Sequence, residues 1–168
     1  LDGQGETVLW VGDNHLTISF SGITAFSRVI DERYPDYKTV LPKDNSKVLT
    51  ADREEMLASV RRVSIFSNRA TRQVELRLSN GEAVVTTEDP ESASSAQEKF
   101  QVQYEDEDLT VGFNANYLVD ILSHIDTEKV VLRLNSPISA TLVGPDKHEE
   151  NEETTMLLMP MRTGGEQV

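Results

Sequence analysis

The sequence predicts an α+β fold with two helices packed on antiparallel sheets, and three observations carry that prediction. Short β-rich runs come in consecutive groups instead of alternating singly with helices, which argues against a parallel βαβ arrangement. Apolar residues recur at helical spacing in two segments, around residues 52–66 and 114–125. A strand–turn–strand pattern at residues 7–22 can be laid without gaps on residues 129–144, each copy ending in Gly and followed by another strand. Chance similarity of two hairpins is the alternative to an internal repeat. If the repeat is real, its first copy lacks the helix that precedes the second, and the chain, which starts at Leu1, begins in the middle of a domain.

The elements follow in order. Residues 8–11, 16–20 and 25–30 are β-rich runs separated by the turn material Gly12-Asp13-Asn14 and Ser21-Gly22. Residues 33–42 hold two prolines and no period, and read as an extended linker. Asp52 is a helix N-cap, with Glu54 and Glu55 in the first turn to favour the dipole. Met56, Leu57, Val60 and Ser64 form its apolar stripe, which ends near Phe66; Ala58, Ser59 and Arg62 lie off the stripe and Arg61 borders it. Strands at 73–78 and 82–87 flank the hairpin signal Ser79-Asn80-Gly81. Two more fit 96–104 and 109–113. A second helix starts at Asn114 or Asn116 and buries Tyr117, Leu118, Ile121, Leu122 and Ile125. Strands at 129–134, 138–143 and 155–161 close the chain.

At 168 residues and 38% hydrophobic, the chain fits one domain plus a fragment, or one large domain, and fills a core. No apolar run approaches the roughly 20 residues of a membrane helix, and the start lacks a basic-then-apolar signal, so no membrane partner is expected. The absence of Cys excludes disulfides and thiolate metal sites and fits a reducing cytoplasm. The net charge of −13 is wrong for a protein that grips phosphates with its whole surface. It means a solvated acidic surface, of the kind tuned for high salt, or acid outside with a few Arg and Lys gathered on an inner face. No metal or other cofactor is expected. His15, His124 and His148 stand singly, and Gly3-Gln4-Gly5 lacks the strand and helix of a nucleotide loop. No Ser, His and acid fall in a catalytic pattern. The acidic cluster at 147–153 reads as a mobile loop, with a cation site as the alternative.

In their order and separations, four motifs resemble the β subunit of bacterial DNA polymerase III, a DNA sliding clamp. They are Arg33-Tyr34-Pro35-Asp36-Tyr37, Val40-Leu41-Pro42, Phe113-Asn114-Ala115-Asn116-Tyr117-Leu118-Val119-Asp120-Ile121-Leu122 and Met159-Pro160-Met161-Arg162. The resemblance runs from about Leu1 to Arg162 and implies the clamp fold. Residues 1–43 would be the second half of the middle clamp domain with its linker, 44–163 a complete C-terminal domain, and 164–168 a flexible tail. The implied function is that of a cytoplasmic polymerase processivity factor with no catalytic activity. Its implied partners are duplex DNA, encircled without sequence preference by a head-to-tail homodimer ring, and clamp-binding peptides. Those peptides belong to the DNA polymerase III α subunit, the clamp loader and repair proteins. A chain without the first domain and half of the second is expected not to close that ring by itself.

Carried over residue by residue, the family's peptide pocket is walled by Pro35, Thr39, Val40, Thr71, Asn114, Tyr117, Ile138, Ala140, Leu157, Leu158, Met159, Pro160, Met161 and Arg162. A short peptide with a Gln and Leu-x-Leu-Phe-like anchors needs an apolar cleft, and flexible Met side chains adapt to several such partners. Asn114, Tyr117 and Arg162 are suited to fixing it by hydrogen bonds. On its own residues, the run Leu157, Leu158, Met159 also reads as an ordinary core strand. Thr39 and Thr71 stand where family members often carry Arg and Phe, which thins those walls.

Ile65 and Phe66 match apolar residues that the family buries at its ring interface; a helix-end core contact is the alternative. The strand after Pro90 matches the family's interface edge strand, with Ser92-Ala93-Ser94-Ser95 where relatives are more acidic. Arg61 and Arg62 match the DNA-facing side of the ring, or are solvated charges that suit the helix dipole. Readings from other classes are a stand-alone peptide-binding module and an unrecognised α+β hydrolase or transferase. Saturable, metal-dependent turnover would distinguish the last.

Overall fold

Burial alternates with period two along residues 73–79, 82–89 and 129–134, and each of these stretches forms a strand. The computed structural model describes residues 6–34, 36–148 and 150–163, and the chain divides into two units after Tyr37. In the first unit β1 (Thr7–Val11), β2 (His15–Phe20) and β3 (Ile23–Arg28) form an antiparallel meander. Ser21 and Gly22, at φ 48° and 78°, make the two-residue turn between β2 and β3, where the twist of paired strands favours positive φ at both positions. The register sets Leu9, Ile18 and Ala25 in one row, with Val11 beside Leu16 and Phe20 beside Ile23. One face of this sheet is therefore almost wholly apolar, yet none of the described residues of the unit is buried. Three strands without a buried face gain little from the hydrophobic effect. Their amides are expected to exchange with solvent about a hundredfold faster than those of the second unit's core strands, which hydrogen exchange read by NMR would measure. Equal protection would contradict this.

The second unit holds β4 (Lys47–Asp52), α1 (Arg53–Ser64), β5 (Gln73–Ser79), β6 (Glu82–Asp89), β7 (Ser94–Gln103) and β8 (Leu109–Asn114). It continues with α2 (Ala115–Ser123), β9 (Lys129–Leu134), β10 (Thr141–Pro145) and β11 (Met156–Leu158). The strands form one antiparallel sheet in the order β11-β10-β9-β4-β7-β6-β5-β8. Several of these strands bury one face: Val74, Leu76 and Leu78 on β5, Ala83 and Val85 on β6, Val130, Leu132 and Leu134 on β9. These share a core with Met56, Leu57, Val60 and Val63 of α1 and Leu118 and Leu122 of α2. The helices pack on each other as well as on the sheet, which is the expected α+β arrangement.

Asp52 caps α1 as expected, and α2 starts from Asn114, the first of its two expected starts. The Asp52 carboxylate accepts from the Glu55 amide at 2.8 Å, and the Asn114 side-chain oxygen accepts from the Asn116 amide at 2.9 Å. Several other expectations need correction. The linker contains a 3₁₀ turn at Tyr37–Thr39, clear of the residues that Pro35 and Pro42 restrict. In α1 it is Val63, not Ser64, that completes the stripe, and Ser59 is buried with its hydroxyl bonded to Glu98. Tyr117 is 64% exposed, because Ala115, Leu118 and Leu122 take the inward face of α2. The strand expected from Ile138 starts at Thr141. Pro137 has no N–H to give a ladder, and residues 136–139 turn instead, with the Ser139 amide donating to the Ser136 carbonyl at 3.3 Å. The gapless repeat therefore slips. Phe20 pairs with Thr7, while its overlay partner Leu142 pairs with Arg133, four residues beyond Lys129. The neighbour order still agrees, since β9-β10-β11 is a meander like β1-β2-β3. The last strand is shorter than expected, ending before Pro160.

Candidate functional site

The end of β8 and the start of α2 are one structural joint. Asn114 caps the helix with its oxygen and donates from Nδ2 to the Thr71 carbonyl at 3.1 Å. The Ala115 amide donates to the Arg72 carbonyl at 2.8 Å, so the segment before β5 is fastened to the helix start. Chain leaving β11 then arrives at the same place. The Met161 amide donates to the Gly112 carbonyl at 2.8 Å, and Gln73 Nε2 donates to the Arg162 carbonyl at 3.2 Å. Four of the expected pocket residues, Thr71, Asn114, Met161 and Arg162, thus share one hydrogen-bonded patch. Gln73 and Gly112 belong to it and were not expected. A lone Gly within an apolar strand was the available signal, since it often marks close approach of another backbone.

The remaining expected walls divide by burial. Leu158 pairs with Thr141 and is 3% exposed, so its side chain belongs to the core, while Leu157 is half-buried. Met159, one residue on, is 61% exposed. Asn45 Nδ2 donates to the Ala140 and Arg133 carbonyls, both at 2.8 Å, and so pins the turn that presents Ile138. Val40, Tyr117 and Ile138 are as exposed as Met159. Thr39 is exposed, Ala140 and Pro160 are half-buried, and Pro35 lies outside the described residues. A concavity of about 510 Å³ borders the patch at Thr71 and Gln73, but Glu75, Arg77 and Glu88 make its walls polar. Met159 and Tyr117, both exposed, are not among its lining residues.

Ile65 and Phe66 follow α1 and are 73% and 46% exposed, so the helix-end core contact is not what they make. Beside them the Asp89 carboxylate accepts from Ser92 Oγ at 2.7 Å, Asn68 Nδ2 at 3.1 Å and the Glu91 amide at 3.2 Å. Ser94 Oγ donates to the Phe66 carbonyl at 3.1 Å. The bonds from Ser92 and then Asn68 hold the Asp89 carboxyl below its ordinary range. Such a group stabilises the fold above its unfolded pKa, and the contribution is lost as pH falls through the depressed native value. Asp89→Asn is therefore expected to flatten the acid limb of a urea-midpoint profile taken between about pH 5 and pH 2. An unchanged limb would contradict this. On β7, residues 94–101 pair with β6 along one edge, whereas β4 meets only Val102 and Gln103 on the other.

The two expected DNA-facing cations are both exposed and both engaged. Arg61 Nη2 donates to Ser123 Oγ at 3.2 Å, tying α1 to α2. Arg62 donates Nε to Glu98 Oε2 at 2.9 Å and Nη2 to Glu98 Oε1. The bond to Arg62 holds the Glu98 carboxyl below its ordinary range, and the Arg62 guanidinium is raised in turn. Among the described residues no group of three or more His, Cys, Asp or Glu could hold a metal ion, and no helix is long and apolar enough to cross a membrane. Gly3-Gln4-Gly5 and the tail expected at 164–168 lie outside the described residues, as does Glu149 of the 147–153 loop.

Residues 38–162 match the family model of the DNA polymerase III beta subunit, C-terminal domain. The chain is 35% identical to the beta sliding clamp of Pseudomonas aeruginosa over 160 residues, covering 95% of this chain and 42% of that protein. It is 36% identical to the beta sliding clamp of Caulobacter vibrioides over 144 residues, covering 85% and 38%. A crystal structure of the Pseudomonas aeruginosa DNA polymerase sliding clamp with ligand superposes at a TM-score of 0.85 and 33% identity, over 96% of this chain and 43% of that one. A sliding clamp from Bartonella birtlesii bound to griselimycin superposes at 0.84 and 27% identity, over 94% and 41%. The chain spans about two-fifths of the length of these relatives.

Proposed function

The chain belongs to the family of bacterial DNA polymerase III beta subunits, and from that premise we propose that it is the C-terminal part of a DNA sliding clamp. Its role is to help hold a polymerase on duplex DNA and to dock clamp-binding peptides of the DNA polymerase III α subunit, the clamp loader and repair proteins. It works in the cytoplasm and catalyses nothing itself. The observation that carries this reading is the exposure of Met159 and Tyr117 beside the Thr71–Asn114 and Met161–Gly112 hydrogen bonds. Apolar side chains held out on a fixed backbone are what an apolar peptide anchor needs. Residues 1–43 are the second half of the middle clamp domain and 44–163 the third domain. The apolar face of β1–β3 supports this, because it is the kind of surface that another half-domain covers. Ile65, Phe66 and the free edge of β7 form the ring contact of the full homodimer.

Fluorescence anisotropy of a labelled peptide with a Gln and Leu-x-Leu-Phe anchors tests the docking role. A saturable rise is expected; no rise at about millimolar chain would sink it. For DNA, Arg61 and Arg62 are the facing cations. With Arg62 paired to Glu98 and a net charge of −13, contact is weak and independent of sequence. Glu98→Gln frees the guanidinium for phosphate. It is expected to raise duplex binding and to steepen the slope of log K against log salt by about 0.9, one released counterion. Tight binding of the wild type to linear duplex at physiological salt would show that these faces are misassigned.

A further inference from the structure

We infer that Gly112 is the seat that positions the 159–162 segment, so that a residue without a side chain sets the wall of the proposed peptide site; the inference rests on that reading of the site. β11 and β8 are the two opposite edges of the eight-stranded sheet. The chain leaving β11 reaches β8 within three residues, where Met161 bridges to Gly112. A Cβ on Gly112 would lie 2.7 Å from the Met161 carbonyl oxygen, 3.0 Å from Thr163 Cγ2 and 3.3 Å from Gln73 Nε2. The nearest of these is backbone, which cannot swing aside as a side-chain tip can, so the segment itself would have to lift. Among the described residues the glycines with positive φ are Gly22 and Gly81, and Gly112 is not one of them. Space, not backbone freedom, is what the site requires of it.

The described bonds that seat the segment are those from the Met161 amide to Gly112 and from Gln73 to the Arg162 carbonyl. Lifting the backbone at Met161 breaks the first and strains the second. Met159 and Arg162 lie to either side of that point and would be carried with it. Gly144 offers a matched control on β10. A Cβ there would lie 2.9 Å from the Thr154 carbonyl oxygen, again backbone, but in contact with the chain that precedes β11.

Gly112→Ala and Gly144→Ala in the full 168-residue chain separate positioning from general strain. The readouts are Met161 amide exchange, the Met methyl NMR signals, and binding of the labelled peptide with a Gln and Leu-x-Leu-Phe anchors. Gly112→Ala is expected to speed Met161 exchange about tenfold, to shift the Met159 and Met161 methyls and to weaken the peptide about tenfold, with β9 amides still protected. Gly144→Ala is expected to leave all three at wild-type values. Unchanged Met161 exchange in Gly112→Ala, or an equal change in Gly144→Ala, overturns the inference. Should Gly112→Ala fail to fold, Gln73→Ala removes the second clasp alone; faster Met161 exchange supports the seat and unchanged exchange overturns it. A wild type that binds no peptide overturns the reading of the site, while the Met161 amide still decides the seat.

Discussion

Phe113→Ala is expected to destabilise the second unit by about 3–5 kcal/mol, the usual cost of emptying a buried aromatic site. Phe113 is 0% exposed, pairs with Val74 across β8 and β5, and shares its core with Leu118 and Leu122 of α2. Removing the ring forfeits its transfer free energy and leaves a cavity that neighbours in a close-packed interior fill only in part. Urea unfolding followed by far-UV circular dichroism reads the effect as a lower midpoint at constant slope. Ile65→Ala is the contrast. That side chain is 73% exposed, so its loss is expected to change stability by less than about 0.5 kcal/mol. Equal effects at the two positions would contradict the burial of Phe113 and the exposure of Ile65.

Met159→Ala is expected to weaken binding of the Leu-x-Leu-Phe-type peptide by about 1–2 kcal/mol, or roughly tenfold, with no loss of stability. Its neighbour gives the opposite result. Leu158 is 3% exposed, so Leu158→Ala is expected to cost about 2–5 kcal/mol of stability. Residues 158 and 159 thus divide one short run between core and surface. Isothermal calorimetry on the Met159 variant and unfolding of the Leu158 variant test the division. A Met159 variant that binds as the wild type does, while folded, removes that side chain from the site.

The parts of this fold that are written locally were legible. Asp52 and Asn114 cap helices through bonds to residues two or three positions on, and the turn before Gly81, at φ 77°, follows from the Asn-Gly pair. β4 was not legible. Val48 and Leu49 are too short an apolar run to announce a strand, and what makes one is pairing with β9, as in Leu49 opposite Leu132. The orientation of Tyr117 was missed for a related reason. Six apolar positions on α2 compete for one inward face, and tertiary packing chose among them. At the site, the terminal Met-Pro-Met-Arg run was visible through its resemblance to a family. Gly112 and Gln73 were not, because their part depends on a segment distant in sequence arriving against them. The pairing of Arg62 with Glu98, from helix to strand, was hidden in the same way.

Amide and methyl chemical-shift mapping of the Gln and Leu-x-Leu-Phe peptide on the 168-residue chain is the most direct test of a docking surface carried by the second unit. The shifts are predicted to concentrate at Asn114, Tyr117, Met159, Met161 and Arg162, and to saturate with one affinity. Shifts confined to residues 150–153, or none at about millimolar peptide, would contradict it.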